Sequence, residues 1–106
     1  MTAYPDTPTT SRGIPRSLAP FFQEYDLEKL DPDRHWELVV ERTLAYGNRQ
    51  ELRWLFQRYG RSRIAGWVRR MGWRRLPKRR FNLWCVLLEI EDPQIPLIQE
   101  QRIWPH

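Results

Sequence analysis

The sequence predicts an all-α fold, a compact bundle of four main helices that includes a candidate helix-turn-helix. Three observations predict it. Apolar residues recur three and four positions apart through much of the stretch 32–89, as they do on one face of a helix. Gly and Pro residues separate these stretches, as they do at helix ends, and no segment alternates apolar and polar residues as a half-buried strand would. A chain of 106 residues suits one domain with a single modest core.

The chain is expected to have three parts. Residues 1–17 are rich in Thr, Ser, Pro and Gly and poor in apolar groups, which predicts a flexible N-terminal arm. Residues 18–91 carry the helical pattern and form the domain, which opens with a short helical or irregular segment anchored by Phe21 and Phe22. Residues 92–106 form a C-terminal tail.

The first two main helices are predicted over residues 32–46 and 49–59. Asp31 precedes Pro32, a pair typical of a helix start, because the Asp side chain caps free amides and Pro suits the first helical position. Asn48 is followed three residues later by Glu51. That spacing indicates reciprocal capping at the start of the second helix.

Two further helices are predicted over residues 62–71 and 77–89. Ser62 is the expected cap of the third helix, and Gly72 its expected end. The fourth helix is apolar nearly all round beyond its first turn, so it is expected to be the central and most buried one. The intervening residues GWRRL would then be the turn of a helix-turn-helix whose second helix presents its N-terminal residues to DNA.

Charge is divided unevenly along the chain. Residues 1–51 carry six basic and nine acidic side chains, residues 52–88 carry eleven basic and none acidic, and residues 89–106 carry one basic and four acidic. Such a partition indicates a polyanionic or acidic partner, because charge segregation steers association and does little for the fold itself. Sixteen of the eighteen basic residues are Arg, whose planar fork suits phosphate and carboxylate.

The sequence contains little material for catalysis, and we expect a non-enzymatic protein without a cofactor or a metal. The two histidines are His35, at a helix start, and the last residue, His106, and no His or Cys pair has the spacing of zinc ligands. The single cysteine, Cys85, lies in the apolar run LWCVLL and reads as a small buried hydrophobe. One cysteine, no apolar leader and no apolar run of membrane length predict a soluble cytoplasmic protein.

The basic segment supplies the main candidate site. Its members are Arg61, Arg63, Arg69, Arg70, Arg74, Arg75, Lys78, Arg79 and Arg80. Three targets fit this pattern: DNA phosphates, RNA bound with the help of an exposed Trp73, and an acidic protein surface. A solvated Arg-rich face without a ligand is the fourth interpretation.

The tail and the first aromatic segment are candidates for docking a protein partner. The residues are Phe21, Phe22, Ile98, Ile103 and Trp104. A free tail rarely keeps so many apolar groups, so the tail is expected to pack back on the helices, to form a short helix over 96–103, or to become ordered on a partner.

Four segments carry a resemblance to a known family. They read IPRSLAPFFQEYDLEKLDPDRH, VVERTLAYG, ELRWLFQRYG and FNLWCVLLEI. Their order resembles a family of small prokaryotic proteins that are commonly encoded beside nucleotidyltransferase-like toxins of the abortive-infection type. The resemblance covers about residues 14–90, and its most specific parts are YDLEKLD, ERTLAYG and LRWLF.

The resemblance implies an all-helical, antitoxin-like protein that binds a cognate toxin, the DNA of its own operator, or both. It carries over no catalytic residues. The chain departs from the family in its Arg content between residues 61 and 80 and in its proline-bearing ends. These departures leave open how DNA binding and partner binding are divided.

Overall fold

The computed structural model describes residues 8–94, and their fold is all-α, as predicted. The α-helices of this range are α1 (Trp36–Tyr46), α2 (Arg49–Tyr59), α3 (Arg61–Trp67), α4 (Trp73–Arg75) and α5 (Lys78–Leu87). A π-helical turn, Val68–Gly72, joins α3 to α4, and 3₁₀ helices at Arg16–Phe22 and Leu27–Lys29 precede α1. The described residues contain no strand, only an isolated bridge between Thr9 and Pro15.

The chain divides between Tyr59 and Gly60 into two compact units, where the sequence predicts one helical domain over residues 18–91. The first unit contains the described residues 8–59 and the second the described residues 60–94. None of the described helices is long and apolar enough to span a membrane. The predicted tail helix over 96–103 lies outside the described residues.

Residues 8–17 belong to the predicted flexible arm, but the structure gives them a defined conformation. The Thr10 amide donates to the Ile14 carbonyl at 2.8 Å, and the Ile14 amide donates to the Thr10 hydroxyl at 3.2 Å. Ile14 is fully buried, as is Leu18 in the 3₁₀ helix that follows. Burial of these two aliphatic side chains favours this conformation. Residues 1–7 of the arm lie outside the described residues.

Arg42 of α1 ties the first 3₁₀ helix to α1. One guanidinium nitrogen donates to the Phe21 carbonyl at 2.6 Å, and the other donates to the Glu24 carboxylate at 2.7 Å. The same guanidinium lies 5.6 Å from the centre of the Phe22 ring. The hydrogen bonds from Arg42, together with a backbone hydrogen bond, lower the pKa of Glu24 from 4.5 to about 2.

The start of α1 is less regular than predicted. The Asp31 carboxylate accepts hydrogen bonds from the amides of Asp33 and Arg34 at 2.9 and 3.3 Å, so Asp31 binds free amides as predicted, but these amides belong to a turn and not to α1. These bonds also lower the pKa of Asp31. Residues 32–35 nevertheless form turns, and the regular helix begins at Trp36 rather than at residue 32.

The helix α2 has the predicted bounds and the predicted cap. The Glu51 amide donates to the Asn48 side-chain oxygen, and the Asn48 amide donates to the Glu51 carboxylate, each at 2.8 Å. Two amides that the helix leaves without partners are therefore satisfied reciprocally. Glu51 is buried by this arrangement, and Leu55 and Tyr59 form the buried face of α2.

Gly60 and Gly72 serve different purposes. Gly60, with φ +88°, precedes α3 in a backbone conformation that strongly favours glycine. Gly72 has helical angles, φ −58° and ψ −37°, so the prediction that it ends the helix is wrong. A Cβ atom at Gly72 would lie 2.9 Å from Cδ1 of Phe81 and 3.2 Å from Cγ1 of Val68. Glycine is needed here for close packing, and the helix continues to Arg75.

The break between α4 and α5 lies at Leu76-Pro77, not in the predicted turn GWRRL. Leu76 is extended, with ψ 148°, as expected for a residue before proline. Pro77 then precedes Lys78, the first residue of α5.

The helix α5 is not the buried central helix that the sequence predicts. Phe81 and Trp84 are buried, but Leu83, Val86 and Leu87 are 42, 74 and 52 % exposed. The described second unit is too small to surround a helix on all sides, so α5 buries one face only.

Alanine substitutions at the two helical glycines of the second unit should change the free energy of unfolding in opposite directions. Gly72→Ala should lower the free energy of unfolding by about 1 kcal/mol, since overpacking against Phe81 costs ~1–3 kcal/mol and the gain in helix propensity returns up to ~1 kcal/mol. Gly66→Ala is the matched control, because its Cβ would meet nothing within 4 Å. It should raise that free energy by up to ~1 kcal/mol. Denaturant unfolding measures both, and a stabilising Gly72→Ala would contradict the packing described here.

The lowered pKa of Glu24 predicts a pH dependence of the first unit. Its stabilising contribution is complete above pH 4.5 and is lost as the pH falls from 4.5 to about 2. In Arg42→Met, the pKa of Glu24 should rise toward 4.5 and this dependence should weaken, whereas the exposed Arg34→Met should leave it unchanged. NMR titration of the Glu24 carboxyl carbon measures the effect. A value near 4.5 in the unaltered protein would contradict the Arg42 contact.

Candidate binding surface of the second unit

All nine predicted basic site residues lie in the second unit. The described residues 60–94 carry nine basic and three acidic side chains, whereas residues 8–59 carry eight of each. Seven of the nine are exposed, and Arg69 and Arg80 are half-buried. The excess positive charge is therefore confined to one unit and lies mostly at its surface.

Two of the nine basic residues, Arg61 and Arg69, form ion pairs. Arg69 donates to the Asp92 carboxylate at 2.8 Å, and this bond raises the pKa of Arg69 and lowers that of Asp92. Arg61 lies 3.8 Å from the Glu89 carboxylate and 3.5 Å from the Leu87 carbonyl oxygen. Arg61 and Arg69 thus hold the chain that follows α5, and part of their charge is compensated.

Five other cations surround the break at Leu76-Pro77, and we call them the cationic turn. They are Arg74, Arg75, Lys78, Arg79 and Arg80. Arg74 and Arg75 end α4, where cations interact favourably with the negative end of the helix dipole. Their position agrees with ordinary helix chemistry.

The remaining three members occupy the first turn of α5, where the helix dipole is positive. Residues 78–80 are all basic, this turn contains no acidic residue, and Pro77 provides no side-chain cap. Cations at this end interact unfavourably with the helix dipole. The local fold would be more stable with a carboxylate here, so the arrangement suits a site that receives an anion.

Trp73 is half-buried rather than exposed as the RNA interpretation requires. Its indole N–H donates to the Arg70 carbonyl at 3.0 Å, and the Arg74 guanidinium lies 5.8 Å from its ring centre. The ring thus packs on its own helix and on a neighbouring side chain. This geometry favours phosphate contacts over base stacking.

The predicted docking residues of the first unit have structural contacts instead. Phe22 is 1 % exposed. It is therefore a core residue and not the docking residue that the sequence predicts. Phe21 is half-buried and stacks on Tyr46 at 5.6 Å between ring centres. Ile98, Ile103 and Trp104 lie outside the described residues.

Sequence reasoning missed the exposed side of α5. Leu83, Val86 and Leu87 form what we call the apolar face, and each is more than two-fifths exposed. The spacing three and four along a helix places them together. The sequence contained this signal. The run LWCVLL is apolar on every side of a helix, and a helix that buries only one face leaves its other apolar side chains exposed.

Other reactive groups are arranged as structural residues. The Cys85 thiol is half-buried, and burial raises its pKa, which makes it a poor nucleophile at neutral pH. His35 accepts a hydrogen bond from the Asp31 amide at 3.3 Å through Nδ1. Among residues 8–94, His, Cys, Asp and Glu side chains form no group of three or more that could hold a metal ion.

Residues 18–68 are similar to a family of unknown function (DUF6922). The match spans slightly less than half of the chain and ends before most of the basic segment, so that only Arg61 and Arg63 of the nine candidate residues lie within it. No curated protein and no solved structure matches the chain significantly. The similarity therefore concerns the first unit and α3 and does not reach the cationic turn.

Proposed function

We propose that this protein is a non-enzymatic, antitoxin-like regulator of a toxin–antitoxin pair that acts in the cytoplasm. In this proposal the second unit binds operator DNA through the cationic turn, and the protein also binds a cognate nucleotidyltransferase-like toxin. The resemblance of the four sequence segments to antitoxin-like proteins supports the toxin half. The charge arrangement of the second unit supports the DNA half.

The observation that carries the DNA half is the position of Lys78, Arg79 and Arg80. They crowd the positive end of α5 beside Arg74 and Arg75, with no acidic residue in the first turn. Cations at this end of a helix oppose its dipole. DNA phosphates would convert this cost into binding free energy, because each neutralised phosphate releases condensed counterions. The preceding helical segment and α5 would then act as the two helices of a helix-turn-helix, with the N-terminal end of α5 toward the DNA.

The proposal predicts a steep dependence of DNA affinity on salt. If all five cations of the cationic turn contact phosphates, the plot of log affinity against log salt should have a slope of about −4 to −5. Replacing Arg79 and Arg80 by Gln should make the slope shallower by about 2. Fluorescence anisotropy with a labelled duplex measures the slope.

The matched control for this experiment replaces two exposed arginines of the first unit, Arg34→Gln with Arg49→Gln. It removes the same net charge and should leave the slope unchanged. No binding to duplex DNA at low salt would refute the DNA half. An equal change in both double variants would show that net charge alone, not the cationic turn, governs binding.

A second candidate function is a pure protein-interaction module, in which the arginines grip an acidic face of the toxin. The apolar face beside the cationic turn on α5 favours this candidate, since exposed Leu and Val side chains bury apolar area in a protein interface and do not contact phosphates. Arg fork-to-carboxylate contacts would supply specificity.

Co-expression with the product of the adjacent gene tests the toxin half. The unaltered protein should restore growth that the adjacent product inhibits. Arg79→Glu with Arg80→Glu should abolish both growth rescue and pull-down if the arginines grip the toxin. If instead only operator binding needs them, this variant should still rescue growth when both genes are expressed from unrelated promoters. An adjacent product that is harmless, or harmful regardless of this protein, would refute the antitoxin role.

A further inference from the structure

We propose that the apolar face of α5 docks an acidic amphipathic helix of a partner protein. This inference deepens the proposed function by giving the chemistry of the partner's contact, and only the identification of that partner as the toxin rests on the proposed function. It starts from the exposure of Leu83, Val86 and Leu87, which the charge argument leaves unexplained.

The apolar face is continuous along one side of α5. Leu83 is followed by Val86 and Leu87 at spacings of three and four, and Arg79 precedes Leu83 by four. These spacings place all four side chains on one side of the helix. Phe81, Trp84 and Leu88 on the other side are buried. The helix therefore has one apolar stripe turned inward and a second stripe turned to solvent.

Single exposed apolar residues are common on protein surfaces, but a stripe of them is a mark of an interface. Val86 is 74 % exposed and Leu87 52 % exposed. The stripe spans residues 83–87, about one and a half turns of one helix, so its size fits a single helix of a partner, as in helix-in-groove recognition.

Cations flank the N-terminal end of the apolar face. Arg79 lies one turn before Leu83 on the same side, next to the other members of the cationic turn. At the other end, Arg61 lies 3.8 Å from the Glu89 carboxylate, so the two charges there offset each other. A complementary partner has apolar residues at helical spacing with Asp or Glu at the end of the stripe that meets Arg79. A second copy of this chain is a poor partner, because the described second unit carries nine basic and only three acidic residues and repels itself.

The probe for this site is a synthetic amphipathic peptide of about 18 residues, long enough to form a helix. It has Leu at positions i, i+3, i+4 and i+7 and Glu flanking the stripe. A second peptide replaces every flanking Glu by Lys. Titration of the full chain into each labelled peptide, followed by anisotropy, should show binding of the Glu peptide and binding at least about tenfold weaker for the Lys peptide.

The decisive variant of the protein is Val86→Asn with Leu87→Asn. Both positions are exposed, and Asn resembles Val in helix propensity, so the second unit should keep its helical circular dichroism. Peptide affinity should fall at least about tenfold. Asn82→Ser, an exposed polar substitution on the same helix, is the control and should change the affinity less than twofold.

Four results would overturn the inference. They are no binding of the Glu peptide, equal binding of both peptides, no effect of the double Asn variant, and a chain that is dimeric in solution but becomes monomeric in that variant. The last result would assign the apolar face to a second copy.

The double Asn variant changes no charge, so its DNA affinity and salt slope should match those of the unaltered protein. Loss of peptide binding with DNA binding intact isolates the apolar face. Peptide binding in a protein that never binds DNA would refute the DNA half of the proposed function and leave the inference standing.

Discussion

The second unit is governed by one constraint: residues 52–88 contain no carboxylate. Its cations can find acidic partners within the unit only in the residues that follow α5. Arg61 pairs with Glu89 and Arg69 with Asp92, and the Gln94 amide donates to the Arg69 carbonyl at 2.9 Å. These contacts place the residues that follow α5 beside the helical segment that begins at Arg61. The members of the cationic turn at residues 78–80 lie instead in the first turn of α5, which contains no acidic residue and where the helix dipole favours an anion.

In the first unit, basic side chains find acidic partners within the unit. It contains as many acidic as basic residues among those described, and it uses them in defined pairs such as Arg42 with Glu24. Arg42 also donates to a backbone carbonyl and covers the Phe22 ring, so this cation is part of the packing. The first turn of α5, in contrast, is basic throughout and contains no acidic residue. This contrast is the physical reason for proposing a binding role for the cationic turn.

Local chemistry was predictable from the sequence, and packing direction was not. The reciprocal cap of Asn48 and Glu51 depends on residues three apart, and its geometry agreed in both hydrogen bonds. The prediction that Gly72 ends a helix was wrong because glycine occurs both at helix ends and at close contacts, and only the position of Phe81 decides between the two. The all-round apolar character of α5 shows which residues gain from burial but not which side meets the rest of the unit. Likewise the basic residues were evident, but the pairing of Arg69 with Asp92 depends on how the chain folds back.

The proposed DNA contact and the proposed helix-docking contact share α5. Arg79 and Val86 are seven residues apart, which is about 10 Å along a helix. A partner helix can cover Val86 and Leu87. A carboxylate at the end of its apolar stripe that lies toward the N-terminus of α5 then contacts Arg79. That arginine cannot then also neutralise a phosphate, and the carboxylate repels the DNA backbone at close range. Both proposals together therefore require that the partner and DNA compete for the second unit, and that each weakens the binding of the other by the same factor.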